Sequence, residues 1–313
     1  MDSKLAAARR FASTQHHAIT FQQAKDVGMS ATAVSRMAGR GWVRVYPGVY
    51  LTEAGAGDQL LRATLLWAGD SATLSHRAAG WLHGLDGVDQ ALAEVTLPLA
   101  QSARSKKVAI HRSDLAPADR VLVKGMRTTS PARTLIDLAA VLEPLPLAMA
   151  VEHAWRMARV FPKQLRHRLE ELGSQGRPGA ARLNAVLADC EARARPLESA
   201  LEVLLWHQLK VSGLPLPQPQ FEVRDGRTLR VDFAYPDARL AIEADGVEFH
   251  AGDPSLFEQH CARHTRLAVA GWRVLHFTRL ALHDAPACIE QIRRALADYG
   301  RGGRTRRAAA PVS

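Results

Sequence analysis

The run Leu229-Arg-Val-Asp-Phe-Ala-Tyr235, a short turn, and then Arg239-Leu-Ala-Ile-Glu-Ala-Asp245 decide the reading of the C-terminal third. Side chains alternate faces along a strand, so Val231, Phe233 and Tyr235 share one face and Asp232 takes the other. On the second run Leu240 and Ile242 share a face, opposed to Glu243 and Asp245. Matching the apolar faces across the turn Pro236-Asp-Ala-Arg239 sets Tyr235 opposite Leu240, and that register sets Asp232 opposite Glu243. Directly opposed Cβ atoms lie about 4.5–5.5 Å apart, and like charges there are destabilising. With Asp245, three carboxylates gather on one hairpin face. A divalent cation relieves the repulsion. Mg²⁺ (or Mn²⁺) suits one or two carboxylates plus a substrate phosphate, and the ion would polarise a phosphodiester and acidify the attacking water. The alternatives are a solvated polar face or a salt bridge to a neighbouring arginine.

Around this hairpin the pattern extends in both directions. Leu197, Leu201, Leu204, Leu205 and Leu209 mark an amphipathic helix over Leu197–Val211. Strands are expected at Gln220–Val223, Thr228–Tyr235, Arg239–Asp245 and Trp272–Thr278, with helices over Pro254–Ala270 and Ala285–Tyr299. Strand, helix, strand implies a parallel crossover beside the antiparallel hairpin. The tail from Arg301 holds four arginines and no acid, which reads as a disordered basic arm.

The stretch from Glu198 to about Leu296 resembles the endonuclease-like domain related to very-short-patch-repair endonucleases, within the PD-(D/E)xK superfamily. The matching text is Leu197-Glu-Ser-Ala-Leu201, Gly213-Leu-Pro-Leu-Pro217, Val231-Asp-Phe233, Ile242-Glu-Ala-Asp-Gly246, His250 and Gly271-Trp-Arg-Val-Leu-His-Phe-Thr278. The resemblance implies that Asp232 and Glu243 hold the metal and that Glu198 is a third or outer-sphere carboxylate. It implies a tight turn at Gly246, with His250 as general base or phosphate contact. Two departures stand out: Asp245 occupies the superfamily lysine position, and His260 and His264 flank Arg263 where relatives carry acids. His260 and His264 share a helical face, but Cys261 points about 100° away, which argues against zinc on that trio.

At the other end, residues 1 to about 52 read as three helices and a hairpin. The first runs Asp2–Gln15. Ile19-Thr20 opens a second at Phe21–Val27, with Thr20 as N-cap, and after Gly28-Met29 Ser30 caps a third from Ala31 to Arg40. Gly41 ends it, and Trp42–Val45, Tyr46-Pro47-Gly48 and Val49–Leu51 form a hairpin. This is the pattern of a winged helix-turn-helix. The third helix turns Thr32, Ser35, Arg36 and Arg40 outward, and Arg44 lies where a wing touches phosphate. The same pattern on a protein-binding module is the alternative. Gly28 to Tyr50 resembles the N-terminal domain of AbiEi-type antitoxins of abortive-infection systems. The likeness continues through Ser75-His-Arg-Ala-Ala-Gly-Trp-Leu-His-Gly-Leu85 and Thr128-Thr-Ser-Pro-Ala-Arg-Thr-Leu-Ile-Asp-Leu138. The intervening region reads as mixed α/β: helices Leu60–Gly69, Ser75–His83 and Pro131–Leu142, strands Ala93–Leu97 and Lys107–Arg112, then helices Leu147–Met157, Pro162–Leu172 and Ala180–Ala192.

Composition agrees with a nucleic-acid partner. The 313 residues carry a net charge of +10, and arginines outnumber lysines thirty-four to seven. Arginine makes bidentate contacts to phosphate and base edges, though GC-rich codon usage produces the same bias. Three scattered cysteines suit a reducing compartment, and no apolar run reaches the ~18 residues of a membrane span, so a cytoplasmic location without membrane contact is expected.

The expectation is a multi-domain α/β chain. Residues 1–55 are a winged helix-turn-helix, 56–193 an AbiEi-like α/β region, 194–300 a restriction-endonuclease-like domain with a mixed sheet, and 301–313 a basic tail. Two functions fit: a double-stranded-DNA-binding protein with a Mg²⁺-dependent endonuclease domain for repair or defence, or a catalytically inactive antitoxin-like regulator that uses the nuclease fold for binding and pairs with a cognate toxin.

Overall fold

The computed structural model describes residues 2–307 apart from 54, 56, 91, 102, 226 and 246–253. Two compact units divide between Ala192 and Arg193.

The first unit begins with α1 (Asp2–Ser13), β1 (Ala18–Thr20), α2 (Phe21–Asp26), α3 (Ala31–Ala38), β2 (Val43–Tyr46) and β3 (Val49–Leu51). Local chemistry sets the helix starts. Thr20 accepts from the Gln23 amide while the Gln23 side chain accepts from the Thr20 amide, a reciprocal cap that satisfies two orphan donors. Ser30 Oγ accepts from Ala33 N at 3.2 Å and starts α3. Ile19-Thr20 opens α2 as expected and also lies in β1, which pairs antiparallel with β3 to give the sheet order β1-β3-β2. Three residues are too few for a period of two to show, and the strand exists because β3 offers it an edge. Val34, Ile19, Trp42 and Tyr50 fill the core beneath α3.

The unit continues through α4 (Gly57–Ala68), β4 (Thr73–Leu74), α5 (His76–Leu82), β5 (Glu94–Leu97), β6 (Ala109–Arg112), β7 (Arg120–Val123) and β8 (Met126–Thr129). Helices α6 (Pro131–Leu138), α7 (Pro144–Arg156), α8 (Pro162–Glu171) and α9 (Ala180–Glu191) close it. The sheet order is β6-β5-β4-β8-β7, with parallel pairs at β4–β8 and β5–β6. Directly after β8, Ser130 caps α6 by accepting from the Arg133 amide. Residues 1–55 do not stand apart. Ala18, Tyr46, Val49 and Leu51 share one core with Leu61, Leu65, Leu74 and Val95, so the expected boundary near residue 55 is bridged by apolar packing.

The second unit comprises α10 (Ala200–Val211), β9 (Gln218–Asp225), β10 (Arg227–Tyr235), β11 (Leu240–Asp245), α11 (Pro254–Val269), β12 (Arg273–Thr278) and α12 (Ala285–Arg307). Its sheet runs β12-β11-β10-β9, antiparallel except for the β11–β12 pair joined through α11. Tyr235 pairs with Leu240 and Phe233 with Ile242, the register that apolar matching requires. Arg239 closes the turn at φ +46. Residues 301–307, expected as a disordered arm, continue α12, because lengthening an established helix adds a hydrogen bond for each residue fixed. Leu240 to Ala244 are buried without interruption, so β11 is covered on both faces rather than one.

Candidate functional site

Covering both faces of β11 changes the chemistry expected of its carboxylates. Glu243 is only 4% exposed. Arg263 on α11 reaches it through Nε at 3.1 Å and through Nη2, which also donates to the Arg230 carbonyl. On the neighbouring strand His276 stands level with Glu243, its Nε2 3.6 Å from Oε2. The His264 ring stacks on that of His276 with centroids 4.0 Å apart. The register places Asp232 across from Glu243, and Asp232 Oδ2 accepts from the Ala244 amide at 2.8 Å. The described residues thus show a carboxylate pair whose buried member is held by a guanidinium.

The helical acid at this site is Glu202 rather than Glu198. Glu198 is half exposed and pairs with Arg230 at 2.6 Å, a surface contact of small energetic weight. Glu202, one turn on, is 3% exposed and accepts from the Glu198 amide at 2.9 Å and from Gln220 Nε2 at 2.7 Å. Burial, and then the negative charge of Asp232, push its carboxyl up to about 7. The signal was present in the sequence: Glu202 falls on the inward stripe of Leu205, Trp206 and Leu209, where an acid needs a reason. The Asp245 side chain, Gly246, His250 and the His260 side chain lie outside the described residues.

A hard, oxygen-seeking cation fits this arrangement poorly. Mg²⁺ takes octahedral oxygen ligands, whereas among the described residues Glu243 has Arg263 on Oε1 and the imidazoles of His264 and His276 beside it, with Asp232 as the neighbouring carboxylate. Among the described residues the one convergent set of donors is Glu243, His264 and His276, all within 4.8 Å of one another.

In the first unit, Thr32, Ser35, Arg36, Arg40 and Arg44 are all exposed, while Val34 of the same helix is fully buried. Small polar groups and arginine therefore share the outer side of α3. Beside it, a cleft of about 480 Å³ is lined by Lys4, Lys25 and Arg36 with Leu5, Met29 and Met37, and no carboxylate lines it. Residues 1–52 hold seven lysines and arginines against two aspartates. The physical profile is that of a surface for a polyanion.

The rest of this unit carries a buried polar network. Arg133 donates to Asp137 at 2.8 Å and faces Asp119 at 3.6 Å, and Arg168 donates to Asp119 at 2.6 Å. His76 stacks on His111 with centroids 3.4 Å apart and bonds Ser75 at 3.0 Å. Burial, helped by the nearby charges of His111, Arg133 and Arg77, depresses His76 to about 2. His83 Nε2 lies 2.8 Å from the Thr129 carbonyl, a structural role. Among the described residues no helix is long and apolar enough to cross a membrane.

Family models match two segments of the first unit, and the similarity to relatives runs beyond it. Residues 7–52 match a family model described as "Transcriptional regulator, AbiEi antitoxin", and residues 71–188 match the "AbiEi antitoxin C-terminal domain". Two uncharacterized proteins of Mycobacterium tuberculosis, from strains CDC 1551 / Oshkosh and ATCC 25618 / H37Rv, are each 28% identical over 237 residues. The match covers 75% of this chain and 84% of the relative. Residues 7–52 and 71–188 are thus AbiEi-antitoxin-like, a transcriptional-regulator segment followed by a segment like the antitoxin C-terminal domain.

Proposed function

We propose that this chain is a sequence-reading DNA-binding regulator of the AbiEi antitoxin kind, and that its first 52 residues work as a winged helix-turn-helix. The observation that carries the reading is the outer side of α3, where Thr32, Ser35 and Arg36 are exposed over a helix anchored by buried Val34. In this reading α3 enters the major groove, Arg40 follows it, and Arg44 on β2 meets phosphate. The antiparallel order β1-β3-β2 behind α3 supports the winged form. A cognate toxin is the protein partner this reading brings with it.

The test is fluorescence anisotropy on duplex DNA across a salt series. Arg36→Ala should weaken specific binding by roughly 1–3 kcal/mol and relax discrimination at one base step. Arg44→Ala should lower the salt slope by about one while leaving discrimination intact. Equal affinity of the parent and both variants for duplex DNA at every salt concentration refutes it.

A second reading, phosphodiester hydrolysis in the second unit, has one observation in its favour: half-buried Asp232 raises the pKa of buried Glu202 by its charge and stands opposite buried Glu243 in the hairpin register, at a cost in stability. It keeps Asp232 and Glu243 as the residues nearest any ion. Arg263 holds Oε1 of Glu243, so in this reading an ion would meet that carboxylate through Oε2. Plasmid nicking by the parent in Mg²⁺ or Mn²⁺, abolished in Asp232→Ala, would establish it; intact plasmid throughout would dismiss it.

A further inference from the structure

We infer that Glu243, His264 and His276 form a binding site for a first-row transition-metal ion, with Zn²⁺ the best match to the donors, and not for Mg²⁺.

The three ligands come from three elements. Glu243 lies on β11 and His276 on β12, at the same level of a parallel pair, so their side chains rise side by side from one face. His264 descends from α11, which packs over β12. The result is one carboxylate oxygen and two imidazole nitrogens within 4.8 Å of one another, with Glu243 Oε2 and His276 Nε2 at 3.6 Å. Around a tetrahedral Zn²⁺ with bonds of about 2.0–2.1 Å, ligand atoms stand roughly 3.3 Å apart. Bringing that pair from 3.6 Å to this spacing, with both imidazole lone pairs turned toward the ion, requires the His264 ring to rotate out of its stack on His276.

Arg263 does not block the site. It occupies Oε1 and leaves Oε2 facing His276. A carboxylate that accepts from a neighbour on one oxygen and ligates through the other is held in orientation by that neighbour, the usual work of an outer-shell partner. Donor softness sets the choice of ion. Imidazole suits Zn²⁺ and its neighbours in the row, whereas Mg²⁺ wants a full set of oxygens. Three protein ligands also leave a fourth position for water or an anionic ligand. The proposal stands apart from DNA reading by the first unit, and its failure would leave that reading untouched.

The experiment uses the full chain, stripped with a chelator and titrated calorimetrically with Zn²⁺ and, in parallel, with Mg²⁺. One Zn²⁺ per chain is expected, with no heat from millimolar Mg²⁺. His264→Gln, His276→Gln and Glu243→Gln should each weaken Zn²⁺ binding by at least about 100-fold, more than loss of an outer-shell partner costs. His207→Gln, on α10, should leave it unchanged. Far-UV circular dichroism and melting in chelator establish that each variant folds. Co²⁺ gives a second readout that needs no variant: its visible bands should report nitrogen and oxygen ligands in a four-coordinate field, without a thiolate charge-transfer band. The proposal is overturned if His264→Gln and His276→Gln bind Zn²⁺ as the parent does. It is equally overturned if the parent binds no Zn²⁺, if Mg²⁺ displaces Zn²⁺, or if a thiolate band appears that Cys261→Ser removes.

Discussion

Replacing His76 by asparagine should change how the first unit responds to acid. In the folded chain His76 is 6% exposed and stacked on His111, with Arg77 and Arg133 adding positive charge, and its pKa falls from 6.5 to about 2. In the unfolded chain the same imidazole takes a proton near 6.5. Below that pH the unfolded state binds one more proton than the folded state. The stabilising effect of the neutral ring is therefore full above pH 6.5 and drains away as the pH falls toward 2. Each pH unit is worth about 1.36 kcal/mol. Between pH 6.5 and 4.5 the parent should lose roughly 2.7 kcal/mol that His76→Asn does not lose. Arg77 and Arg133 remain in both proteins and cancel in the comparison, while His111, stacked on His76 and coupled to it, is removed by repeating the pair in a His111→Asn background. Asparagine suits the site because residue 76 sits at φ +50, a region it tolerates better than most side chains. At pH 7.5 the variant should be slightly less stable, having lost the contact with Ser75 Oγ. Hydrogen exchange of the buried amides of α6, corrected for the intrinsic rate at each pH, reads the opening free energy of this unit without unfolding the other. The gap between parent and variant should close or reverse by about 2–3 kcal/mol on going to pH 4.5. A gap constant to within about 0.5 kcal/mol across that range would show that His76 is protonated in the folded chain, and the reasoning would be wrong.

Two further outcomes follow from contacts of different kinds. Arg263→Met strands the buried carboxylate of Glu243, and in chelator it should destabilise the second unit by roughly 3 kcal/mol. Adding Glu243→Gln should restore most of that, and a urea series in which the double variant is as weak as the single one would refute the pairing. Gly179→Ala meets both a φ of +78 and a clash of the new Cβ with the Ala139 carbonyl oxygen, so it should cost at least about 3 kcal/mol. Gly84→Ala, at φ +69 with open space around it, should cost only about 1 kcal/mol. Equal melting temperatures for those two variants would sink the steric argument.

What the sequence alone determined was everything written in near neighbours. Thr20 with Gln23 and Ser30 with Ala33 N are caps that span three residues, and they start α2 and α3 where a reader would place them. Alternation of Val231, Phe233 and Tyr235 against Leu240 and Ile242 set the hairpin register, since a one-residue slip would turn every apolar side chain outward. The outward polar side of α3 was legible for the same reason: 3.6-residue periodicity sorts faces without knowledge of what covers them.

Only the tertiary structure decided what stands on the far side of those faces. Strands β1 and β4 have three and two residues, too short to show a period, and owe their existence to β3, β5 and β8. The sequence left the hairpin carboxylates a cation, solvent or a neighbouring arginine as partner, and the crossover through α11 lays Arg263 and His264 over Glu243 while β12 brings His276 alongside. Those partners lie twenty and more residues along the chain from Glu243, and no local pattern specifies a meeting made by a chain reversal. Burial by that reversal set an arginine-held glutamate beside two imidazoles, because a desolvated charge must find a counter-charge within its own packing shell.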